Sequence, residues 1–251
     1  MQASAVPPPT VDPSRPASLS QRLVVGTQHR RWQRRADAWE DHASAALDSV
    51  IQAVLSEVGP DRIGVAVDVG CGGGALTIPL AARTATVVAV DISTNMITRL
   101  HERAAEAGVA NIDARVVSIE ELDFPPASVD LVVSNYALHH LRDRDKQALV
   151  QKVALWLRPG GRLVIGDMML GRGLTRDDRR VFAGKVKVLA KRGPAGWWRV
   201  AKNAWRLMTR TVERPVPMAA WARMLESAGF VAVTAKRVVA EAGIVSGTRP
   251  Q

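Results

Sequence analysis

Val65-Ala66-Val67-Asp68-Val69-Gly70-Cys71-Gly72-Gly73-Gly74 is a short apolar run that ends in glycines. Apolar runs of this length, closed by turn residues, read as buried strands. Glycines directly after such a strand permit a tight turn and let a ligand approach the backbone closely.

The alternation continues downstream. Ala75–Arg83 reads as a helix, and Thr86–Asp91 as a second strand. Ser93 is placed as the N-cap of a helix over Asn95–Ala107, with Gly108 closing it. Asp113–Val117 and Val129–Asn135 supply two more strands. A helix over Lys146–Leu157 is expected to stop at Pro159-Gly160-Gly161, ahead of a fifth strand at Arg162–Met168. Strand–helix alternation of this kind implies a parallel sheet with helices on both faces. The expected fold is therefore α/β, a doubly wound, seven-stranded and mostly parallel sheet. A helix over Met218–Ala228 and strands at Phe230–Arg237 and Gly243–Thr248 would complete it.

Outside this frame lie two helical stretches. From Gln28 to Val58, Trp32, Trp39, Ala43, Leu47, Val50, Ile51, Val54 and Leu55 recur at helical spacing, a helical N-terminal extension. Residues 175–212 read as two helices inserted before the last helix. Trp197, Trp205 and Met208 share one face there, while Arg199, Lys202, Arg206 and Arg210 share another. Such a basic amphipathic insertion suits a cover over the active site, or a peripheral contact with an anionic membrane. The domain plan is a disordered leader at 1–24, rich in Pro, Ser and Ala, and a single domain over 25–251.

Charge follows the same division. The net charge of +10 comes from the flanks: residues 1–35 carry six Arg against Asp12, and 171–214 carry 13 basic against three acidic side chains. Residues 36–170 are acidic, with 18 carboxylates against 11 basic groups. Cys71 is the one cysteine, so neither a disulfide framework nor a cysteine-built zinc site is available, and no metal is expected. No stretch approaches the ~20 apolar residues of a membrane span. The expected location is cytoplasmic.

Two ligands suit the glycine loop. Gly70-x-Gly72-x-x-Ala75 fits the permissive dinucleotide fingerprint, and Asp91 ends the next strand, where a carboxylate can accept both hydroxyls of a ribose. A dinucleotide would put its pyrophosphate beside the Asp68 carboxylate, which repels it. S-adenosylmethionine (SAM) presents a cationic ammonium and sulfonium there, which Asp68 favours.

Several blocks, in order, resemble the class I SAM-dependent methyltransferases: VAVDVGCGGG (65–74), VVAVDIS (87–93), VVSIEELDFPPASVDLVVSNYALHHL (116–141) and LRPGGRLVIGDM (157–168). The group resembled is the small-molecule type, similar to the ubiquinone- and menaquinone-biosynthesis enzymes. The resemblance implies that Asp68, Gly70, Cys71, Gly72 and Gly74 line the methionine and ribose part of SAM. It puts Asp91 on the ribose and Ile92 and Met96 against the adenine. Ser118 and Ile119 fall at the adenine edge, where family members present an acid and an apolar residue; Ser118 departs from that pattern. Asn135 would reach the methionine moiety.

Methyl transfer is a displacement in which alignment supplies much of the rate, and a base is needed only for an acceptor that must lose a proton. Tyr136, His139, His140 and Asp167 sit at or after the carboxyl ends of strands and are the candidates. Packing or helix-start roles are the alternative for the histidines. The Trp/Met face of 175–212 favours a lipophilic small-molecule acceptor such as a quinone, polyketide, terpenoid or lipid. RNA ranks below it: the basic flanks could neutralise phosphates, but no RNA-binding module is recognisable. A non-catalytic SAM-binding scaffold is the third reading.

Overall fold

Side-chain alternation along the strands decides which helix packs where. Odd and even positions of a strand face opposite sides of its sheet. In a computed structural model, which describes residues 45–59, 63–171 and 213–251, the apolar positions divide accordingly. Ala66, Val87, Leu131, Val133, Val164 and Ile244 lie in one buried cluster, while Val67, Val88, Val132, Leu163, Ile165 and Val245 lie in another. The strands are apolar on both faces because both are covered.

The first helix, α1 (Ala45–Val58), is followed by β1 (Ile63–Val69), α2 (Thr77–Ala81), β2 (Thr84–Asp91), α3 (Thr94–Glu106) and β3 (Ile112–Val116). Then come β4 (Val129–Asn135), a 3-10 turn (Leu138–His140), α4 (Asp143–Trp156), β5 (Leu157–Met168), α5 (Met218–Ser227), β6 (Val231–Arg237) and β7 (Ala242–Thr248). They form a seven-stranded sheet of order β3-β2-β1-β4-β5-β7-β6. The first five strands are parallel, and β7 runs antiparallel to both β5 and β6. The expected α/β doubly wound, mostly parallel sheet is what the molecule has. After β3 the chain returns to lay β4 beside β1, so the strand order reverses there. Ligands of open α/β sheets bind at the carboxyl ends of strands at such a reversal.

Helix α1 packs closely on the sheet through Val50 and Val54, both fully buried. Gly166 of β5 makes the approach possible: a Cβ there would stand 2.7 Å from Val54 Cγ2 and 2.8 Å from Val50 Cγ1. Each buried valine contributes on the order of 1.5–3 kcal/mol. At the other end, Ser93 caps α3 as expected, its hydroxyl accepting the Met96 N–H at 3.4 Å.

Three expectations differ from the structure. Helix α2 covers only Thr77–Ala81, because Gly70–Leu76 are taken up by the loop. Helix α4 starts at Asp143, three residues earlier than the apolar periodicity suggested, with Asp143 and Asp145 in the first turn, where carboxylates favour a helix start. Strand β5 begins at Leu157, upstream of Pro159-Gly160-Gly161 rather than after it. The glycines form an irregularity within the strand, where the pairing with β4 jumps from Val129↔Leu157 to Leu131↔Arg162. Gly160 takes φ +78°, and its N–H donates to the Arg249 carbonyl at 2.9 Å, so the turn stays paired to the sheet.

The leader expected at 1–24, the helix expected before residue 45 and the cover expected at 175–212 lie outside the described residues. Among the described residues, no helix is long and apolar enough to cross a membrane.

Candidate active site

A cavity opens at the carboxyl ends of β1, β2 and β4. Leu47, Asp68, Gly70–Gly73, Ala75, Leu76, Asp91, Ile92, Met96, Arg103, Ile119, Glu120 and 135–137 line it, with His140 and Leu141.

Local geometry builds its floor. Gly70 turns the chain at φ +76°, and a Cβ there would meet the Ala137 Cβ at 2.3 Å. The N–H groups of Gly70 and Cys71 both donate to the Val90 carbonyl, at 2.8 and 3.0 Å. Asp91 then ties the loop to β2: its Oδ2 accepts the Gly72 N–H at 3.0 Å, and its Oδ1 accepts the Ser93 N–H at 2.8 Å. Beyond these bonds the carboxylate keeps accepting capacity for a ligand hydroxyl. Burial raises the Asp91 carboxyl, and the N–H bonds from Ser93, Gly72 and Ile92 oppose the rise.

Asp68 is 1% exposed. Its Oδ2 accepts the Thr77 hydroxyl at 2.6 Å, while Oδ1 has no hydrogen-bond partner among the described residues. Burial pushes its carboxyl up to about 7, against the Thr77 hydrogen bond and with added repulsion from Asp91. Asn135 Oδ1 is likewise buried without a partner among the described residues. Two orphan acceptor atoms in residues that line one cavity call for a donor or a cation from a ligand. Burial, Asp68 and Asp91 all push the Cys71 thiol up, so it stays protonated and serves as a small loop residue.

The other end of the cavity is built by Tyr136–Leu141. Tyr136 takes φ +51°, a left-handed conformation uncommon for a bulky residue, and its N–H donates to the Gly166 carbonyl at 2.8 Å. Burial pushes its phenol well above the usual range, with Glu241 and Asp167 adding to the rise, so it remains a neutral hydroxyl.

The two histidines part company. His140 lines the cavity, whereas His139 is 2% exposed and does not. The His139 Nδ1 stands 2.6 Å from Asp167 Oδ1, and its backbone N–H donates to Asp167 Oδ2 at 2.8 Å. Asp167 also accepts the Met168 N–H at 2.6 Å. The imidazole rings of His139 and His140 lie 3.9 Å apart, so the clamped ring backs the cavity-facing one.

Of the residues singled out in the sequence, Asp68, Gly70, Cys71, Gly72, Asp91, Ile92, Met96, Ile119, Asn135, Tyr136 and His140 come together in this cavity. Gly74, Ser118 and His139 do not line it. Gly74 instead admits helix α3, since a Cβ there would stand 2.3 Å from Leu100 Cδ1. The Ser118 hydroxyl turns away and donates to Glu121 Oε2 at 2.9 Å. Glu120, Arg103 and Leu141 were not singled out, because an isolated charge in a loop or on a polar helix face carries no periodic signal. Among the described residues, no cluster of His, Cys, Asp and Glu could hold a metal ion.

Residues 66–161 match the methyltransferase domain family. The chain is 34% identical over 171 residues to a 27-O-demethylrifamycin SV methyltransferase of Amycolatopsis mediterranei, covering 65% of this chain and 60% of that one. It is 36% identical over 119 residues to a ubiquinone biosynthesis O-methyltransferase of Paracidovorax citrulli, covering 43% of this chain and 49% of the other. It thus spans about half to three fifths of the curated relatives it matches. The fold is similar to that of a Burkholderia thailandensis 1,6-didemethyltoxoflavin-N1-methyltransferase, with a TM-score of 0.63 at 19% identity over 97% of this chain and 94% of that one. With its seven-stranded sheet, its glycine loop and this match over 66–161, the chain is similar to the class I SAM-dependent methyltransferases.

Proposed function

We propose that the protein binds SAM in this cavity and transfers its methyl group to a small, lipophilic acceptor. The observation that carries the reading is the pair of unpartnered buried oxygens, Asp68 Oδ1 and Asn135 Oδ1, beside the Asp91 carboxylate. A site this rich in acceptors suits the ammonium and sulfonium of SAM and the hydroxyls of its ribose, and it disfavours a pyrophosphate.

When bound, SAM supplies an electrophilic methyl group on a positively charged sulfur. The residues of the chain do the rest by orientation. Asp68 and Asn135 hold the methionine end, Asp91 the ribose, and Ile92, Met96 and Ile119 enclose the adenine. Tyr136 and His140 then face the acceptor side. His140 is the residue placed to accept a proton from an acceptor hydroxyl, with Tyr136 offering a neutral hydrogen-bond donor. His139, fixed by Asp167, holds the His140 ring in place.

The lipophilic character of the acceptor rests on the apolar part of the lining, including Leu47, Leu76, Ala137 and Leu141. It also rests on the relatives named for 27-O-demethylrifamycin SV and for ubiquinone biosynthesis. Incubation with methyl-labelled SAM and a lysate of the host, followed by partition, tests it. Label in the organic-soluble fraction is expected. Label confined to RNA, protein or polar metabolites would overturn the acceptor class.

A further inference from the structure

His140 faces the cavity from a very short element. Leu138–His140 make a single 3-10 turn, in which the His140 N–H donates to the Ala137 carbonyl at 3.3 Å and the Leu141 N–H to the Leu138 carbonyl at 3.0 Å. A turn of this length has little stability of its own, because few bonds of poor geometry offset the dihedrals that it fixes. The angle of the His140 ring therefore depends on what grips its two neighbours.

Both neighbours are gripped from outside the turn. From β5, Asp167 accepts the His139 N–H at 2.8 Å and stands 2.6 Å from its Nδ1. From the first turn of α4, Lys146 holds the other side. Its ammonium donates to the Leu141 carbonyl at 2.8 Å and to the Arg214 carbonyl at 2.6 Å. The Arg214 N–H donates in turn to the His139 carbonyl at 2.6 Å. One ammonium thus holds Leu141 directly and His139 through Arg214, so both residues flanking His140 are tied to it. Arg214 leads into α5 past the buried Val216, which brings a third segment into the same knot.

Packing alone does not call for a charge here. Lys146 is fully buried, and the carboxylate of Asp143, 3.3 Å away, is 46% exposed and shares its charge with water. A buried ammonium is costly where its compensation is this incomplete. A methionine would fill the same length without the charge, but it would leave the Leu141 and Arg214 carbonyls without this donor.

We propose that Lys146 is a positioning residue for methyl transfer: by fixing Leu141 and, through Arg214, His139, it sets the angle at which the His140 imidazole meets the acceptor. The inference rests on the reading of this cavity as a SAM site with His140 on its acceptor side. Lys146 itself touches neither cofactor nor acceptor.

The test compares the native full chain with Lys146→Met and with Val153→Ala, at a temperature where all three are folded. Val153 is buried two turns further along α4, so its truncation costs stability through packing alone. Affinity for S-adenosylhomocysteine, read by calorimetry, should stay as in the native protein in both variants. With methyl-labelled SAM at saturation and a host lysate, the rate into whichever fraction the native protein labels should fall by about 10- to 100-fold in Lys146→Met, the scale of a displacement of about an ångström. Val153→Ala should keep the native rate. The His139 and His140 rings, 3.9 Å apart, shift each other's proton resonances, and these should move in Lys146→Met and stay in place in Val153→Ala. A native rate in Lys146→Met, equal loss of rate in the two variants, or unmoved ring resonances in Lys146→Met would overturn the proposal. A native protein that binds no S-adenosylhomocysteine or transfers no label would instead overturn the functional reading, and this inference with it.

Discussion

The two ends of the cavity are held by different means. At the glycine-loop end, nearly every bond is short in sequence or made by backbone: Gly70 and Cys71 to Val90, Asp91 to Gly72 and Ser93, Thr77 to Asp68. At the acceptor end, side chains reach far along the chain. His139 meets Asp167, and Lys146, fully buried, donates to the carbonyls of Leu141 at 2.8 Å and Arg214 at 2.6 Å. The Arg214 N–H in turn donates to the His139 carbonyl at 2.6 Å. One end is tied mainly through backbone groups of the neighbouring strands β1 and β2, while the other depends on side chains that join segments up to 68 residues apart.

That contrast can be broken at several points. Asp91→Ala removes the side-chain anchor of the glycine loop at Gly72 together with the proposed ribose acceptors, and should weaken S-adenosylhomocysteine by about 100-fold or more, given ~1.5–3 kcal/mol for each charged hydrogen bond. Retained affinity in a calorimetric titration would deny Asp91 its role. Lys146→Met leaves two buried carbonyls without their donor, at a cost of ~2–3 kcal/mol, and should lower Tm by about 5–10 °C while cofactor affinity changes less than threefold. A loss of cofactor binding larger than the loss of stability would show that the two ends are not separable.

The histidines sharpen the contrast within a single turn. His139→Ala leaves the buried Asp167 with fewer donors and should cost ~2 kcal/mol in chemical denaturation. His140→Ala should leave stability within ~0.5 kcal/mol and lower kcat with little change in KM for SAM. Equal behaviour of the two variants would contradict the different burial of the two rings.

A further effect concerns pH. The Asp68 carboxyl, held at about 7 in the folded protein against 3.8 for the free group, is protonated more readily folded than unfolded. Its stabilising contribution is therefore present below pH ~4 and lost as pH rises through about 7. Binding of a cation needs the ionised form, so affinity for SAM should fall by up to about tenfold per unit as pH drops below 7. Asp68→Asn should flatten that dependence. An unchanged slope would place the cation elsewhere.

Legibility in the sequence followed the same line. The glycine loop, Asp91 and the Ser93 cap could be read from their neighbours, because turn chemistry and strand-end position act over a few residues. The two faces of the sheet followed from uninterrupted apolar strands. The start of strand β5 is hidden in the sequence because Pro159-Gly160-Gly161 resembles a stop, whereas pairing of Leu157 with Val129 and of Gly160 with Arg249 keeps it in the sheet. His139 and His140 looked equivalent as neighbours; Asp167, 28 residues away, separates them. Glu120 carried no signal beside Glu121, since only the fold shows which of the two carboxylates faces inward.

The most direct test of the account is titration of the purified chain with SAM and, separately, with NAD. The acceptor-rich cradle of Asp68, Asp91 and Asn135 predicts that SAM binds in the micromolar range, that Asp68→Asn weakens it, and that NAD gives no heat of binding. Saturable binding of NAD with none of SAM would contradict the assignment of this cavity.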